Sequence, residues 1–359
     1  MRPTLLVAGT ILVAGLAAPA FALTPEERID ILWERASLQV DYEKYEDAIG
    51  SGQLATRIDP QSPSAWALLA WAQWMSPDGL EPLAYTAAEH ALQLDPDSAL
   101  AHYALGLCLP CVTDPPDFAN AIAELEEAVR LDPTLARAWS YLGLTLLDSG
   151  DAAGSIEPLR RATEIDPGYY EWHLNLGIGL EAAGRLEDAI PAGRRAAELA
   201  FSPFSEQLAR NNLAWQICLL VPDDPDLRQE ALANARRAVE LMPEDAYNLD
   251  TLGCAELLFG TAEAAEVALR AAIANGNDSY PALAHALVLQ GRDAEAREVL
   301  AGASAVLTPA QVELGHAYFA ALAWERLGRP EITGRIARHM LATWPDAPWT
   351  KQVAECLEQ

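Results

Sequence analysis

Apolar residues along this chain recur at three- and four-residue spacing, and no stretch shows the strict alternation that marks a half-buried strand. Trp139, Leu142, Leu146 and Leu159 make one such apolar stripe at helical spacing. The pattern is punctuated at Ile58-Asp59-Pro60, Leu94-Asp95-Pro96, Leu131-Asp132-Pro133, Ile165-Asp166-Pro167 and Leu241-Met242-Pro243. Each proline stops a helix, because it lacks the N–H that a further turn would need. Between these stops, Gly150, Gly184, Gly260, Gly291 and Gly328 predict a left-handed residue that ends one helix and opens the next. Thr24-Pro25-Glu26-Glu27 and Thr308-Pro309-Ala310-Gln311 carry the N-cap hydroxyl, N1 proline and N3 Glu or Gln of a capping box.

The spacing predicts nine helix pairs, at about 29–62, 63–98, 99–135, 136–169, 170–203, 207–245, 246–276, 277–306 and 309–347. Insertions fall at Pro77-Asp78-Gly79, at Pro110 to Pro116 and at Pro222-Asp223-Asp224-Pro225. A last helix over 348–359 sets Trp349, Val353 and Leu357 on one face, with Lys351, Gln352, Glu355 and Glu358 on the other. That division suits the end of a stacked array, one side docked and one wet.

Two positions in each pair are small. Midway along the first helix stand Ala36, Ala70, Gly106, Gly143, Gly177, Ala214, Gly253, Ala284 and Ala321. Late in the second stand Ala55, Ala91, Ala128, Ala162, Ala196, Ala238, Ala272 and Ala303, with Met340 as the exception. Helix axes approach closely only where the contacting side chains are short. A helical hairpin of about 34 residues with small residues at these beats and a closing proline resembles the tetratricopeptide repeat. The resemblance spans almost all of 29–347 and implies an all-α fold, an α-solenoid of about nine hairpins plus a C-terminal capping helix, occupying 23–359. It leaves no space for a separate catalytic domain.

Residues 1–22 stand apart. Arg2, the apolar run Leu5 to Ala18 and the small-x-small site Ala20-Phe21-Ala22 predict a cleaved secretory signal peptide. Retained instead, the run would come close to the ~20 residues of a bilayer span, although Gly9, Gly15 and Pro19 weaken it. The expected location is periplasmic or secreted, with no stable membrane insertion once the leader is removed. The net charge of −28, from 24 basic and 52 acidic residues, opposes nucleic acid and anionic lipid as partners.

Candidate chemistry is sparse. Cys108-Leu109-Pro110-Cys111 reads as a local disulfide or a pair of thiols near a helix end, and alternatively as a redox dithiol. A thioredoxin-like role needs a βαβ setting, haem attachment needs a His where Val112 stands, and structural zinc needs two further ligands. Cys218 and Cys254, in neighbouring hairpins, could bridge or stay as buried thiols, and Cys356 is left over. No His-Glu-x-x-His helix, Gly-x-Ser-x-Gly elbow or phosphate-cradling Gly loop is present, so the sequence predicts no metal, cofactor or catalytic residue.

What remains is a binding surface. The resemblance implies a groove lined by first helices, and its groove positions map onto Trp33, Trp71, Trp74, Tyr103, Asn211, Trp215, Tyr247 and Tyr318. Aromatic rings give large contact area at low entropic cost, and Asn can bond a peptide backbone, although such rings also serve as interhelical packing. The Lys and Asn set by which some members clamp a terminal carboxylate is absent, since the chain has only Lys44 and Lys351. The leading expectation is therefore a non-catalytic scaffold or adaptor of the cell envelope that holds a peptide or protein segment. The alternatives are a thiol–disulfide role for Cys108 and Cys111, and a self-assembling structural subunit.

Overall fold

The computed structural model describes residues 23–303, 314–343, 345 and 347–355. The leader 1–22, the cap at Thr308 to Gln311, Cys356 and Leu357 lie outside the described residues. Nineteen helices and no strand occur among the described residues. In chain order they are α1 (Pro25–Asp41), α2 (Tyr45–Ile58), α3 (Pro63–Trp74), α4 (Glu81–Leu94), α5 (Ala99–Val112), α6 (Phe118–Leu131), α7 (Ala136–Asp148), α8 (Ala152–Ile165) and α9 (Tyr170–Ala182). There follow α10 (Leu186–Leu199), α11 (Pro203–Leu220), α12 (Pro225–Leu241), α13 (Ala246–Phe259), α14 (Ala262–Ala274), α15 (Tyr280–Leu289), α16 (Asp293–Ala303), α17 (Leu314–Arg326), α18 (Pro330–Thr343) and α19 (Pro348–Glu355). The chain divides into two compact units, Met1–Gly179 and Leu180–Gln359, and the boundary falls within α9.

Each unit is a stack of helical hairpins around its own core. Trp33, Leu68, Trp71, Tyr103, Leu125 and Leu142 are buried in the first unit. Leu213, Ile217, Leu269, Leu287, Phe319 and Trp349 are buried in the second. The small residues sit where helices touch: Ala36, Ala70, Ala214, Ala284 and Ala321 are all at most 1% exposed. So are Ala55, Ala91, Ala128, Ala162, Ala196, Ala238 and Ala272 in the second helices, and Met340 is equally buried. Gly106, Gly143 and Gly253 share one task, since a Cβ there would lie 2.6, 2.5 and 2.4 Å from the Cγ of Leu125, Leu159 and Leu269.

The Asp-Pro punctuation does more than end helices. Asp59, Asp95, Asp132 and Asp166 each accept the backbone N–H two residues on, at 2.9, 3.0, 2.9 and 3.2 Å, which fixes the turn after the helix. The carbonyl of the following proline then takes a ring N–H from the next hairpin. Trp66 donates to Pro60 at 2.9 Å and Trp139 to Pro133 at 3.0 Å. His102 and His173 place Nε2 at 2.9 and 3.2 Å from the carbonyls of Pro96 and Pro167. Four successive hairpin junctions in the first unit are thus fastened by the same pair of bonds.

Thr24 caps α1 as expected, its hydroxyl accepting the Glu27 N–H at 3.2 Å while Glu27 accepts the Thr24 N–H at 2.7 Å. Gly150, Gly184, Gly291 and Gly328 are left-handed, with φ of 94°, 73°, 75° and 72°. Gly260 is not, at φ −116°. There the Glu256 carboxylate accepts the Thr261 N–H at 3.3 Å and ties the turn, so the left-handed residue is dispensed with.

One close approach was not signalled by the repeat. A Cβ on Gly52 of α2 would lie 2.7 Å from Cα of Leu69 on α3, a backbone atom that cannot swing aside. Replacing Gly by Ala inside a helix ordinarily stabilises by up to ~1 kcal/mol. Gly52→Ala is expected instead to destabilise by about 1–3 kcal/mol through overpacking. Gly50, on the same helix, has nothing within 4 Å of its Cβ position, and Gly50→Ala should stabilise. Urea titration of both variants checks the opposite signs.

Candidate functional site

The first helices of five successive hairpins, α1, α3, α5, α7 and α9, border a hollow of about 140 Å³ in the first unit. Its walls are aromatic. Trp33 of α1 and Trp71 of α3 lie 5.6 Å apart, centroid to centroid. Tyr141 of α7 meets Trp74 at 5.6 Å and Tyr103 at 5.8 Å, and Tyr169 meets Trp172 at 4.9 Å. Tyr169 precedes α9 and Trp172 lies on it, so the Tyr169-Tyr170-Glu171-Trp172 run enters the wall at the start of that helix.

Charged groups stand among the rings. Asp41, the last residue of α1, is only 5% exposed and accepts the Tyr169 hydroxyl at 3.3 Å on each carboxylate oxygen. Burial raises its pKa to about 7, helped by the nearby Glu171, while the Tyr169 and Tyr170 hydroxyls act the other way. Burial likewise raises Glu171 to about 7, against the pull of Arg137 and of the hydrogen-bonding groups of Tyr169, Tyr141 and Asn175. The Arg137 guanidinium lies over the Trp33 ring at 4.6 Å and over Trp71 at 5.9 Å, a cation–π placement.

Tyr103 and Trp172 are among the residues around the hollow, and the Tyr103 hydroxyl and the Trp172 indole nitrogen are buried with no hydrogen-bond partner. Their residues are 0% and 7% exposed. Leaving such groups unpaired costs about 1–3 kcal/mol each.

The structure brings together four of the eight sequence-predicted positions here: Trp33, Trp71, Trp74 and Tyr103. Trp71 and Tyr103 line the hollow, while Trp33 backs it and donates its own N–H to the Ser64 hydroxyl at 3.1 Å. In the second unit, Trp215 and Tyr318 have packing duties instead. Tyr318 stacks on Trp349 of α19 at 4.6 Å and donates to Gln352 at 2.7 Å. Trp215 meets Trp349 at 5.7 Å and donates to Glu181 at 3.1 Å. Burial raises Glu181 to about 7, against the hydrogen bonds from Gln216 and Trp215. Asn211 keeps a buried side-chain oxygen without a partner, and Tyr247 is 74% exposed.

Sequence reasoning missed Asp41, Arg137, Tyr141, Tyr169, Glu171 and Trp172. The Tyr-Tyr-Glu-Trp run was the available signal for the last helix. Nothing local marked Asp41, because charged residues are common at helix ends.

Of the two local readings of Cys108 and Cys111, a disulfide or a pair of thiols, the structure has the second. Both thiols are free, Cys108 buried and Cys111 exposed. Helix α5 runs through the motif to Val112, and residues three apart on a helix hold their Cβ atoms ~5–6 Å apart, beyond the ~3.5–4.5 Å of a disulfide. Burial pushes the Cys108 thiol well up, the opposite of what thiol exchange requires. Cys218 and Cys254 are also free and buried, and burial raises both. Among the described residues no group of three or more His, Cys, Asp or Glu could hold a metal ion, and no helix is long and apolar enough to cross a membrane.

A family model described as the tetratricopeptide repeat matches residues 117–170. No curated protein matches the sequence. Among solved structures, a chain of the Cut9–Hcn1 hetero-tetramer of the APC/C superposes with a TM-score of 0.64 at 18% identity, covering 82% of this chain and 55% of that one. This chain therefore spans about half the length of that relative. A monomeric mutant of IFIT1 with Gppp-AAAA superposes with a TM-score of 0.52 at 13% identity, covering 91% of this chain and 80% of that one. Both likenesses concern the fold.

Proposed function

We propose that this chain, a tetratricopeptide-repeat protein, is a non-catalytic scaffold that holds an extended segment of another protein against the first helices of its N-terminal unit. The observation that carries this reading is the hollow bordered by five first helices, with aromatic walls. Tetratricopeptide folds generally mediate protein–protein contacts. Stacked hairpins give a preorganised surface, so little entropy is lost by the scaffold on binding. The acidic surplus, 52 residues against 24 basic, speaks against a nucleic acid occupant such as the one on IFIT1.

The proposal includes export. Residues 1–22 carry the form of a cleavable leader, which would place the scaffold in the cell envelope or outside it, with an envelope protein as partner. N-terminal sequencing of the exported protein should begin at Leu23.

Binding is tested with an immobilised library of acetylated nonapeptides and residues 23–359 as the probe. Saturable retention of a subset of peptides is expected. Trp74 is half-buried and packs on Tyr141 at 5.6 Å, so Trp74→Ala should weaken retention about tenfold without unfolding the chain, as checked by circular dichroism. A library from which nothing is retained defeats the scaffold reading.

A further inference from the structure

We propose that His102 is a proton-operated latch at the second of the four fastened hairpin junctions: with hydrogen on both ring nitrogens it ties the first turn of α5 to α6 and to the preceding turn, and it slackens as pH rises. The latch is independent of what the hollow holds.

The geometry of the ring is the first observation. Nδ1 lies 2.6 Å from a carboxylate oxygen of Glu124 on α6, and Nε2 lies 2.9 Å from the carbonyl of Pro96. Both partners are acceptors, so both contacts are hydrogen bonds only if each ring nitrogen carries hydrogen. A neutral imidazole has one N–H and would turn a lone pair toward one of the two oxygens. A carboxylate beside an imidazole leaves the proton on the ring, which is the stronger base. The His102 side chain is only 12% exposed, which leaves little room for water to replace a lost partner.

The neighbouring junctions supply the contrast. Trp66 and Trp139 make the same bond to Pro60 and Pro133, at 2.9 and 3.0 Å, and an indole N–H donates at any pH the fold tolerates. An imidazole instead changes charge near neutrality. Of these three junctions, the one at Pro96 depends on a donor that titrates.

The surroundings favour the cation. Glu127 of α6 acts on the ring together with Glu124, and Asp95 and Asp97 stand in the turn before α5. Arg130 opposes, but its charge is taken up by Glu127, to which it donates from Nε at 2.6 Å and from Nη2 at 2.5 Å. On the α4 side, Tyr85 is raised by its hydrogen bond to Glu89 and stays neutral. When the second proton leaves for solvent, the remaining N–H stays with the charged acceptor, Glu124, and the bond to the Pro96 carbonyl is lost. The latch is thus closed on the acidic side of neutrality and open on the alkaline side. The end of α5 that it holds also carries Tyr103, whose ring meets Tyr141 of the hollow wall at 5.8 Å.

The test is amide hydrogen exchange of the wild-type protein at pH 6 and pH 8, corrected for the intrinsic pH dependence of exchange. Amides of 97–102 should lose about tenfold in protection over this interval, while the corresponding amides of 61–66 and 134–139 change by less than about twofold. Taking the neighbouring junctions as reference removes any pH effect on the unit as a whole. His102→Trp installs the donor already used at Trp66 and Trp139 and should abolish the excess. Equal pH responses at the three junctions overturn the latch, as does an excess that survives His102→Trp. Nitrogen NMR of the ring gives a reading that needs no variant: hydrogen on both nitrogens at pH 6 and on one at pH 8. A ring with a single N–H at pH 6 overturns the proposal.

Discussion

Trp349→Ala is expected to lower the unfolding free energy of the C-terminal unit by about 3–5 kcal/mol. Trp349 is 0% exposed although it sits on an eight-residue helix, α19, at the end of the described chain. A helix that short has no stability of its own, so its order comes from docking. The docking is concentrated in one side chain. The indole stacks on Tyr318 at 4.6 Å, meets Phe319 at 5.5 Å edge-on and meets Trp215 at 5.7 Å. Its N–H donates to the carbonyl of Cys218, in the last turn of α11, at 3.0 Å. Truncation loses the ring contacts, leaves a cavity and uncovers Tyr318 and Trp215. Trp349→Phe keeps much of the packing and loses the hydrogen bond, and should cost about 1–2 kcal/mol beyond the smaller ring contact. Denaturant titration gives both values, and hydrogen exchange should show α19 opening first in the Ala variant. A loss under 1 kcal/mol would mean that the terminal helix does not seal this end of the array.

The second large effect concerns pH and has an uncommon sign. Asp41 and Glu171 are both raised, from ordinary carboxyl values to about 7. A raised acid stabilises the fold fully below its unfolded pKa, and that stability is lost as pH rises through the folded value. Between pH 5.5 and pH 8, the pair should therefore remove on the order of 2–4 kcal/mol from the first unit, less than two independent groups because they repel each other. Arg137 faces them from α7 and moderates the loss, and Glu34 and Asp166 also border the hollow. The hydroxyls of Tyr141, Tyr169 and Tyr170 stay neutral throughout, since burial raises all three. In the second unit Glu181 acts in the same direction. His285 acts oppositely, because burial lowers it to about 4 and its contribution is lost on acidification. The double variant Asp41→Asn, Glu171→Gln isolates the pair. Calorimetric midpoints at pH 5.5 and 8 should show wild type losing clearly more on alkalinisation than the double variant. Equal losses would place the two carboxyl groups in contact with water.

The surface ion pairs do not blur this window. Glu266, held by Arg270 and Arg292, is lowered to about 2 despite an opposing burial effect, so its contribution is lost only on strong acidification.

The hairpin register was legible because each of its determinants is local. A proline ends a helix wherever it falls, a left-handed glycine turns the chain within one residue, and a helix pair nests only if its contacting residue is small. Hence Ala36, Ala70 and their counterparts could be assigned from spacing alone, and all are buried in the structure. The exceptions have nearby causes. Gly260 escapes the left-handed turn because Glu256 ties the backbone there, and Cys108 and Cys111 stay apart because α5 does not end before them.

Tertiary structure alone decided which aromatic residues face an open hollow and which are packed. Trp215 and Tyr318 occupy the same repeat positions as residues that line a groove elsewhere, yet α19 covers them, and repeat position cannot reveal a neighbour contributed by the chain end. Asp41 meets Tyr169 across 128 positions of sequence. A side chain carries a record of its own helix and turn, but no pattern within either segment says that stacking five hairpins will place both against one cavity. Sequence set the repeating hairpin; the stacking of hairpins made the hollow and brought Asp41 and Glu171 to it.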